Sequence, residues 1–462
     1  MRLSFGISAA LLLVSSVSAA PHLEHSGDSL EARSVKVQAS SVLSSLGLTV
    51  ATTAPKHGKT VKYQKQCPFS VPHVQPHSTR HGHDISFPKG CEDGKFIDWK
   101  TFKSNSVNLG AWLAKEKTHD PIWWSSFGAK AANTPDEWSF CQALGKQCGP
   151  VLEARYASFL NYSTIDTLAK VGINTLRITT TYAAWVKVPG SAFYHGNQQL
   201  HLRKITEYAI TKYNMHIIIG LHSLPGGTNS LDIGEAFGHN GWFYNATNLA
   251  YSLKAVDQVL NFVKSSGHKN AFTIAPLNEV SDNLAGFGSA AGLSDKATNW
   301  VITYMNGVFK RVEAVDKRIP VMLQDNFKGA SFWSPLFEKK RNLVIDSHVY
   351  YFAASGTYSQ YVAPAVCGQA KYLAEETKFP VFVGEWSLQT MYNNTLSVPS
   401  RKTIFDTQRY AWQKYVAGGA FWTAVSYSTA PVDGQGTQRD YWSYIDLVRA
   451  GVITKATTKS YC

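Results

Sequence analysis

The chain has 462 residues, of which 13% are aromatic, including 13 Trp and 22 Tyr, and it carries a formal charge of +13. That length accommodates two or three average domains, or one α/β barrel with an extension. The basic excess does not by itself make a nucleic-acid binder: no run of five or more Lys/Arg occurs, and part of the excess lies at Lys56, Lys59, Lys62 and Lys65. A basic surface with affinity for polyanions or cell wall is the expectation, with no nucleic-acid partner.

Met1-Arg2, the apolar run Ile7 to Val17 and the small residues Ser18-Ala19-Ala20 read as a secretory leader cleaved near Ala19 or Ala20. Residues 1–19 are therefore expected to be removed, and the protein to act outside the cell or in the cell wall. No later stretch has the length and apolarity of a membrane span. From about 20 to 95 the chain is polar and rich in Ser, His and Lys, as in a pro-region or linker. His73, His77, His81 and His83 are spaced too irregularly for a metal site. Six cysteines, Cys67, Cys91, Cys141, Cys148, Cys367 and Cys462, suit an oxidising compartment but allow 15 pairings. Cys141 and Cys148 are near enough for a local bridge, Cys462 is placed to pin the C-terminus, and no pair has zinc-site spacing. Three sequons, at Asn161, Asn245 and Asn393, are expected on the surface.

From Phe96 short apolar runs alternate with amphipathic segments, so residues 96–462 form the expected catalytic domain. Strands are expected at 106–109, 175–178, 216–220, 272–276, 321–324, 343–346, 381–384 and 420–423. Helices are expected between most of them, at 163–171, 200–213, 250–265 and 295–315. Eight strands alternating with helices indicate an α/β fold, a single (β/α)8 TIM barrel with an N-terminal polar extension. An open doubly wound sheet would want a Gly-rich phosphate turn after an early strand, and none is present.

Polar residues recur at the C-terminal tips of these runs, where barrel enzymes carry their chemistry. Glu116 follows the first strand, Arg177 sits in the second, and His222 and then Asp232 follow the third. Asn278-Glu279 ends the fourth, His348-Val349-Tyr350 the sixth, Glu385-Trp386 the seventh, and Trp422 lies in the eighth. Two strand-end glutamates are what glycosidic cleavage requires, one to protonate the leaving oxygen and one to attack or to activate water.

With those residues in place, the chain resembles glycoside hydrolase family 5, most closely the fungal exo-β-1,3-glucanase group, over about Ser106 to Ile445. The likeness rests on Val-Asn-Leu-Gly-Ala-Trp-Leu at 107–113, Asp-Glu-Trp-Ser-Phe-Cys-Gln-Ala-Leu-Gly at 136–145 and Gly-Ile-Asn-Thr-Leu-Arg-Ile at 172–178. It continues through Leu-His-Ser-Leu-Pro-Gly at 221–226, Leu-Asn-Glu at 277–279, His-Val-Tyr at 348–350, Val-Gly-Glu-Trp-Ser at 383–387 and Phe-Trp-Thr at 421–423. The resemblance implies Glu279 as general acid/base and Glu385 as nucleophile of a retaining mechanism, with no metal or organic cofactor. It implies that Arg177 holds Glu385 ionised, that Tyr350 donates to it, and that Asn278 reaches the sugar 2-hydroxyl. His222 and His348 are expected to line the subsite next to the cut, Glu116 and Asp232 to bind hydroxyls, and Trp422 or Trp386 to supply a stacking floor.

The implied substrate is a β-glucan or β-glucoside, with glucan 1,3-β-glucosidase activity leading and a monomeric enzyme expected. Departures from the group pattern bear on specificity. Ala424 stands where Trp is usual, Leu231 where an aromatic helps form an entrance clamp, Ala111 where Gly is common, and Lys117 where Pro is common. These keep an endo-β-1,6-glucanase and a rutinosidase-like diglycosidase open. A barrel that only binds wall polysaccharide would lack a glutamate, and neither is missing.

Overall fold

A computed structural model describes residues 94–456 and 459–462. The leader, nearly all of the polar region with its four histidines, Cys67 and Cys91 lie outside the described residues.

Eight strands, β1 (Ser104–Leu113), β2 (Thr175–Thr180), β3 (His216–Leu221), β4 (Phe272–Ala275), β5 (Val321–Gln324), β6 (Leu343–His348), β7 (Val381–Trp386) and β8 (Gly418–Phe421), close into one parallel barrel in chain order. Closure is direct: Ser104 of β1 pairs with Gly418 of β8. Helices follow the strands as α1 (Tyr162–Lys170), α2 (Gln198–Tyr213), α3 (Ala246–Ser265), α4 (Asp295–Asp316), α5 (Ala330–Trp333), α6 (Val362–Leu373), α7 (Val398–Tyr415) and α8 (Tyr444–Arg449). Four further helices, Pro121–Ser125, Ala129–Ala132, Glu137–Leu144 and Cys148–Phe159, fill the long first connection. Every strand residue is buried, on one face by the helices and on the other by the barrel interior.

The interior is layered. At its base Ile218, Ala275, Met322, Val344, Phe382 and Ala420 pack around Trp99. Trp99 satisfies its indole N–H by donating to Thr273 Oγ1 at 3.0 Å. Above this dry plug the inward positions turn polar: Asn108, Arg177 and Asp346 are all fully buried.

Two irregularities re-aim the strand tips. On β1 the register shifts between Leu109 and Leu113, and Ala111 lies there at φ 53°. This left-handed conformation suits the glycine common at that position, and an alanine adopts it at a cost of ~1 kcal/mol. On β7 one extra residue separates the pairs Ser347–Val383 and His348–Glu385. Strict alternation from the inward Phe382 would have aimed Trp386 inward as well. The bulge instead turns Glu385 into the barrel and Trp386 out against Phe405 and Phe421. Trp386 is therefore no part of a stacking floor, and that expectation is corrected.

Cys141 bridges Cys148, and Cys462 bridges Cys367 on α6, tying the C-terminus to the barrel wall. Asn161, Asn245 and Asn393 are exposed, the first two as caps of α1 and α3. No helix among the described residues is long and apolar enough to cross a membrane.

Candidate active site

A pocket of about 490 Å³ opens at the C-terminal end of the barrel, where the strand tips deliver their polar residues. Its floor is organised by Arg177. One guanidinium nitrogen, Nη1, donates to Glu385 Oε1 at 2.8 Å and to Asn108 Oδ1 at 2.9 Å. The other, Nη2, donates to Asn278 Oδ1 at 3.2 Å and to Asp346 Oδ2 at 3.3 Å. Burial opposes the Arg177 charge, but Asp346 and Glu385 outweigh it and raise the pKa. Asn108 is held in turn by donating to the carbonyls of Gly384 and Ala420, at 2.9 and 3.2 Å.

Glu385 receives a second donor, the Tyr350 hydroxyl, at 2.9 Å from Oε2. Burial pushes its carboxyl above the ordinary range, His348 and Arg177 pull it back, and Glu279 pushes it up again. Glu279 lies beside it, its Oε1 at 2.6 Å from His348 Nδ1, and that nitrogen is 3.6 Å from Glu385 Oε2. Burial alone would lower the His348 pKa, yet Glu385, Glu279 and Asp346 raise it to about 10, so the ring is charged and donates. Oxygens of the two glutamates and a His348 nitrogen all lie within 4.8 Å of one another. Those atoms could in principle surround a cation, but here Arg177 and a charged His348 already stand against the Glu385 carboxylate.

The backbone of Glu279 is held as firmly as its side chain. It sits at φ 43°, with its N–H donating to Gln324 Oε1 at 3.2 Å and its carbonyl accepting from Asn229 Nδ2 at 3.0 Å. The next N–H, of Val280, donates to Asn326 Oδ1 at 3.0 Å. A left-handed non-glycine residue is thus held in place by three amide side chains.

The remaining expected residues separate by depth. Asn278, Glu279, Glu385, Tyr350, His222, Glu116, Asp232 and Trp422 line the pocket, whereas Arg177 and His348 are absent from its lining and bond to Glu385 and Glu279. Burial, then the charges of Arg177 and His348, drive the His222 pKa well down, so this ring is neutral. Trp422 stacks on it at 5.7 Å and 15°. Burial, followed by Asp232, Glu385 and Glu279, pushes Glu116 well above the ordinary range; burial lifts Asp232 to about 6. Leu231 lines the rim, while Ala424 is buried away from the pocket, so of these two departures only the first touches it.

The sequence model of the cellulase family, glycosyl hydrolase family 5, matches residues 149–428. The chain belongs to glycosyl hydrolase family 5. It is 28% identical over 295 residues to the probable glucan 1,3-beta-glucosidase A of Aspergillus niger, covering 63% of this chain and 66% of that protein. It is 27% identical to glucan 1,3-beta-glucosidase 1 of Schizosaccharomyces pombe, with 63% and 70% covered. The chain thus spans about two thirds of the length of these relatives. The crystal structure of rutinosidase from Aspergillus niger superposes with a TM-score of 0.75 at 45% identity, covering 78% of this chain and 100% of that one.

Several residues of this family 5 site escaped the sequence reading. Asp346 lies two residues before His348 on β6, so it shares the inward face, and that period was the available signal. Gly384 is small because a Cβ there would lie 1.9 Å from Asp346 Oδ1. Asp136 caps its helix through the Ser139 N–H at 2.7 Å and also accepts the Phe237 N–H at 3.0 Å. Glu137 accepts the Lys115 N–H at 2.7 Å. The Asp-Glu pair thereby splints the two loops that carry Glu116 and Asp232. Trp442, which stacks on Tyr350 at 5.4 Å and 13°, and His119 also line the pocket.

Proposed function

We propose that Glu385 is the nucleophile and Glu279 the general acid/base of a retaining β-glycosidase. The observation that carries this reading is the carboxylate spacing, within 4.8 Å between nearest oxygens. Inverting enzymes separate the two carboxyls by about 6.5–9.5 Å to admit a water, whereas retaining ones keep them about 5–5.5 Å apart. In the first step Glu385 forms a bond to the anomeric carbon as Glu279 passes its proton to the departing glycosidic oxygen. In the second, Glu279 takes a proton from water, whose oxygen displaces Glu385 and restores the original configuration. Arg177 and Tyr350 hold the attacking carboxylate in line, and Asn278 is placed to bond the 2-hydroxyl.

The substrate follows from the two-sided lining. Glu116, Asp232, Asn278 and Gln438 offer hydrogen bonds, while Pro121, Pro135, Leu231, Ile233 and Phe237 form an apolar wall. That combination suits a sugar joined to an apolar aglycone. Together with the likeness to rutinosidase over that protein's whole length, it supports release of a disaccharide from a rutinoside-type β-diglycoside. Release of glucose from β-1,3-glucan is a second reading, favoured by the names of the curated relatives. The disulfides, with the leader-like N-terminus, support action outside the cell.

Product analysis on rutin, laminarin and pustulan, beside Glu385→Gln, tests these readings. Rutinose from rutin, lost by at least about 10⁴-fold in the variant, is the expected result. Glucose from laminarin as the sole early product would move the substrate to β-1,3-glucan, and oligomers from pustulan to β-1,6-glucan. Cleavage that survives Glu385→Gln would refute the mechanism.

A further inference from the structure

One buried ring in the pocket has no part in the two-glutamate chemistry. His119 lies between β1 and β2, is buried, and forms part of the pocket wall. The Trp422 indole N–H donates to His119 Nε2 at 2.9 Å. Because an indole nitrogen only donates, Nε2 must carry a lone pair. The proton of the neutral ring then sits on Nδ1, 2.9 Å from Ser426 Oγ, and is donated there. Burial, then the neighbouring Lys115 ammonium, lowers the His119 pKa to about 4, in keeping with that neutral state.

The ring also touches both pocket indoles, with centroids 6.0 Å from Trp422 and 5.7 Å from Trp442. Trp422 continues by stacking on His222, and Trp442 by stacking on Tyr350, the residue that donates to Glu385. His119 is thus the middle of a five-ring row crossing the site. Its carbonyl accepts the Tyr427 N–H at 2.8 Å, which ties this row to the loop after β8. Glu116 Oε2 stands 3.6 Å from His119 Nε2, which has no proton to offer it, so that carboxyl is left to the substrate.

We propose that His119 is a positioning residue that determines sugar affinity: as the Nδ1-protonated neutral ring it accepts the Trp422 hydrogen bond and fixes the aromatic floor of the pocket. The inference rests on the glycosidase reading. A floor contacts the ground state and the transition state alike, so its loss belongs in KM rather than in kcat.

Two variants separate bonding from packing. His119→Phe keeps a ring and deletes both hydrogen bonds, while His119→Gln retains an acceptor for the indole. On the best-cleaved glycoside, His119→Phe is expected to raise KM about tenfold with kcat changed by less than about threefold, and His119→Gln to recover part of the affinity. An unchanged KM, or a loss confined to kcat, would overturn the proposal. Independently of activity, ¹⁵N NMR of the wild-type chain at neutral pH is expected to show His119 protonated at Nδ1 and bare at Nε2. The opposite tautomer or a charged ring would also overturn it. A wild-type chain inert on every glycoside would sink the glycosidase reading instead, and the spectrum would still decide the state of the ring.

Discussion

At the floor of the pocket Asn108, Asn278, Asp346 and Glu385 converge on the single guanidinium of Arg177 from different parts of the barrel. At the rim Pro121, Pro135, Leu231 and Phe237 stand on connecting loops and offer only apolar surface. Every floor group is bonded to a partner that is itself bonded, so displacing one leaves a buried charge or amide uncompensated. A rim side chain can be exchanged for another of similar size with little effect beyond its own contact. Chemistry is therefore anchored where the fold is over-determined, and specificity where it is tolerant.

Arg177→Met is expected to strike the floor hardest. It leaves Glu385 and Asp346 without the guanidinium that bridges them and with only the His348 ring as a cation, which should lower kcat/KM by at least about 10³-fold and stability by ~3–5 kcal/mol. Activity assays and denaturant unfolding check both, and a folded, active variant would show that the floor is not organised by Arg177. Tyr350→Phe is milder, because the ring can still stack on Trp442 and only the bond to Glu385 Oε2 is lost. A kcat lower by about 10–100-fold is expected for one charge-assisted hydrogen bond.

That variant also has a signed pH signature. Burial already raises the Glu385 carboxyl, and Tyr350 donates to its ionised form. Losing that donor raises the carboxyl further. Attack needs the ionised form, so as pH falls the variant should lose kcat/KM at a higher pH than the wild type. An acidic limb that stays in place or moves down in the pH profile would contradict the assigned nucleophile. At the rim, Leu231→Trp restores an aromatic next to Asp232. It should shift the laminarin-to-rutin ratio of kcat/KM toward laminarin by about 3–30-fold, leaving stability near wild type. Competition assays on the two substrates read this directly, and an unchanged ratio would remove Leu231 from the specificity argument.

Much of the frame was legible in advance. The apolar runs at 321–324 and 272–276 match β5 and β4 to within a residue, and those at 295–315 and 163–171 match α4 and α1 equally well. These are local properties, a period of residues and a terminus. The pocket-lining glutamates Glu279 and Glu385 were legible for the same reason, since each ends an apolar run. Trp386 was offered as a stacking residue from the motif around Glu385, and the bulge that turns it outward is revealed only by the neighbouring strand. His119 and Trp442 were missed because their partners Trp422 and Tyr350 lie 303 and 92 residues away along the chain.

The sequence by itself determined the order of strands and helices, the positions of the two glutamates at strand tips, and the membership of a two-carboxylate family. Those follow from hydrophobic period, chain direction and residue type, which neighbours in sequence settle among themselves. Only the tertiary structure decided which way Glu385 and Trp386 face, that Asp346 lies beneath Arg177 beside Gly384, and that His119 is the neutral centre of an aromatic row. Each of those depends on barrel closure. Closing the barrel brings side chains distant in sequence within hydrogen-bonding reach and removes the water that would otherwise satisfy them.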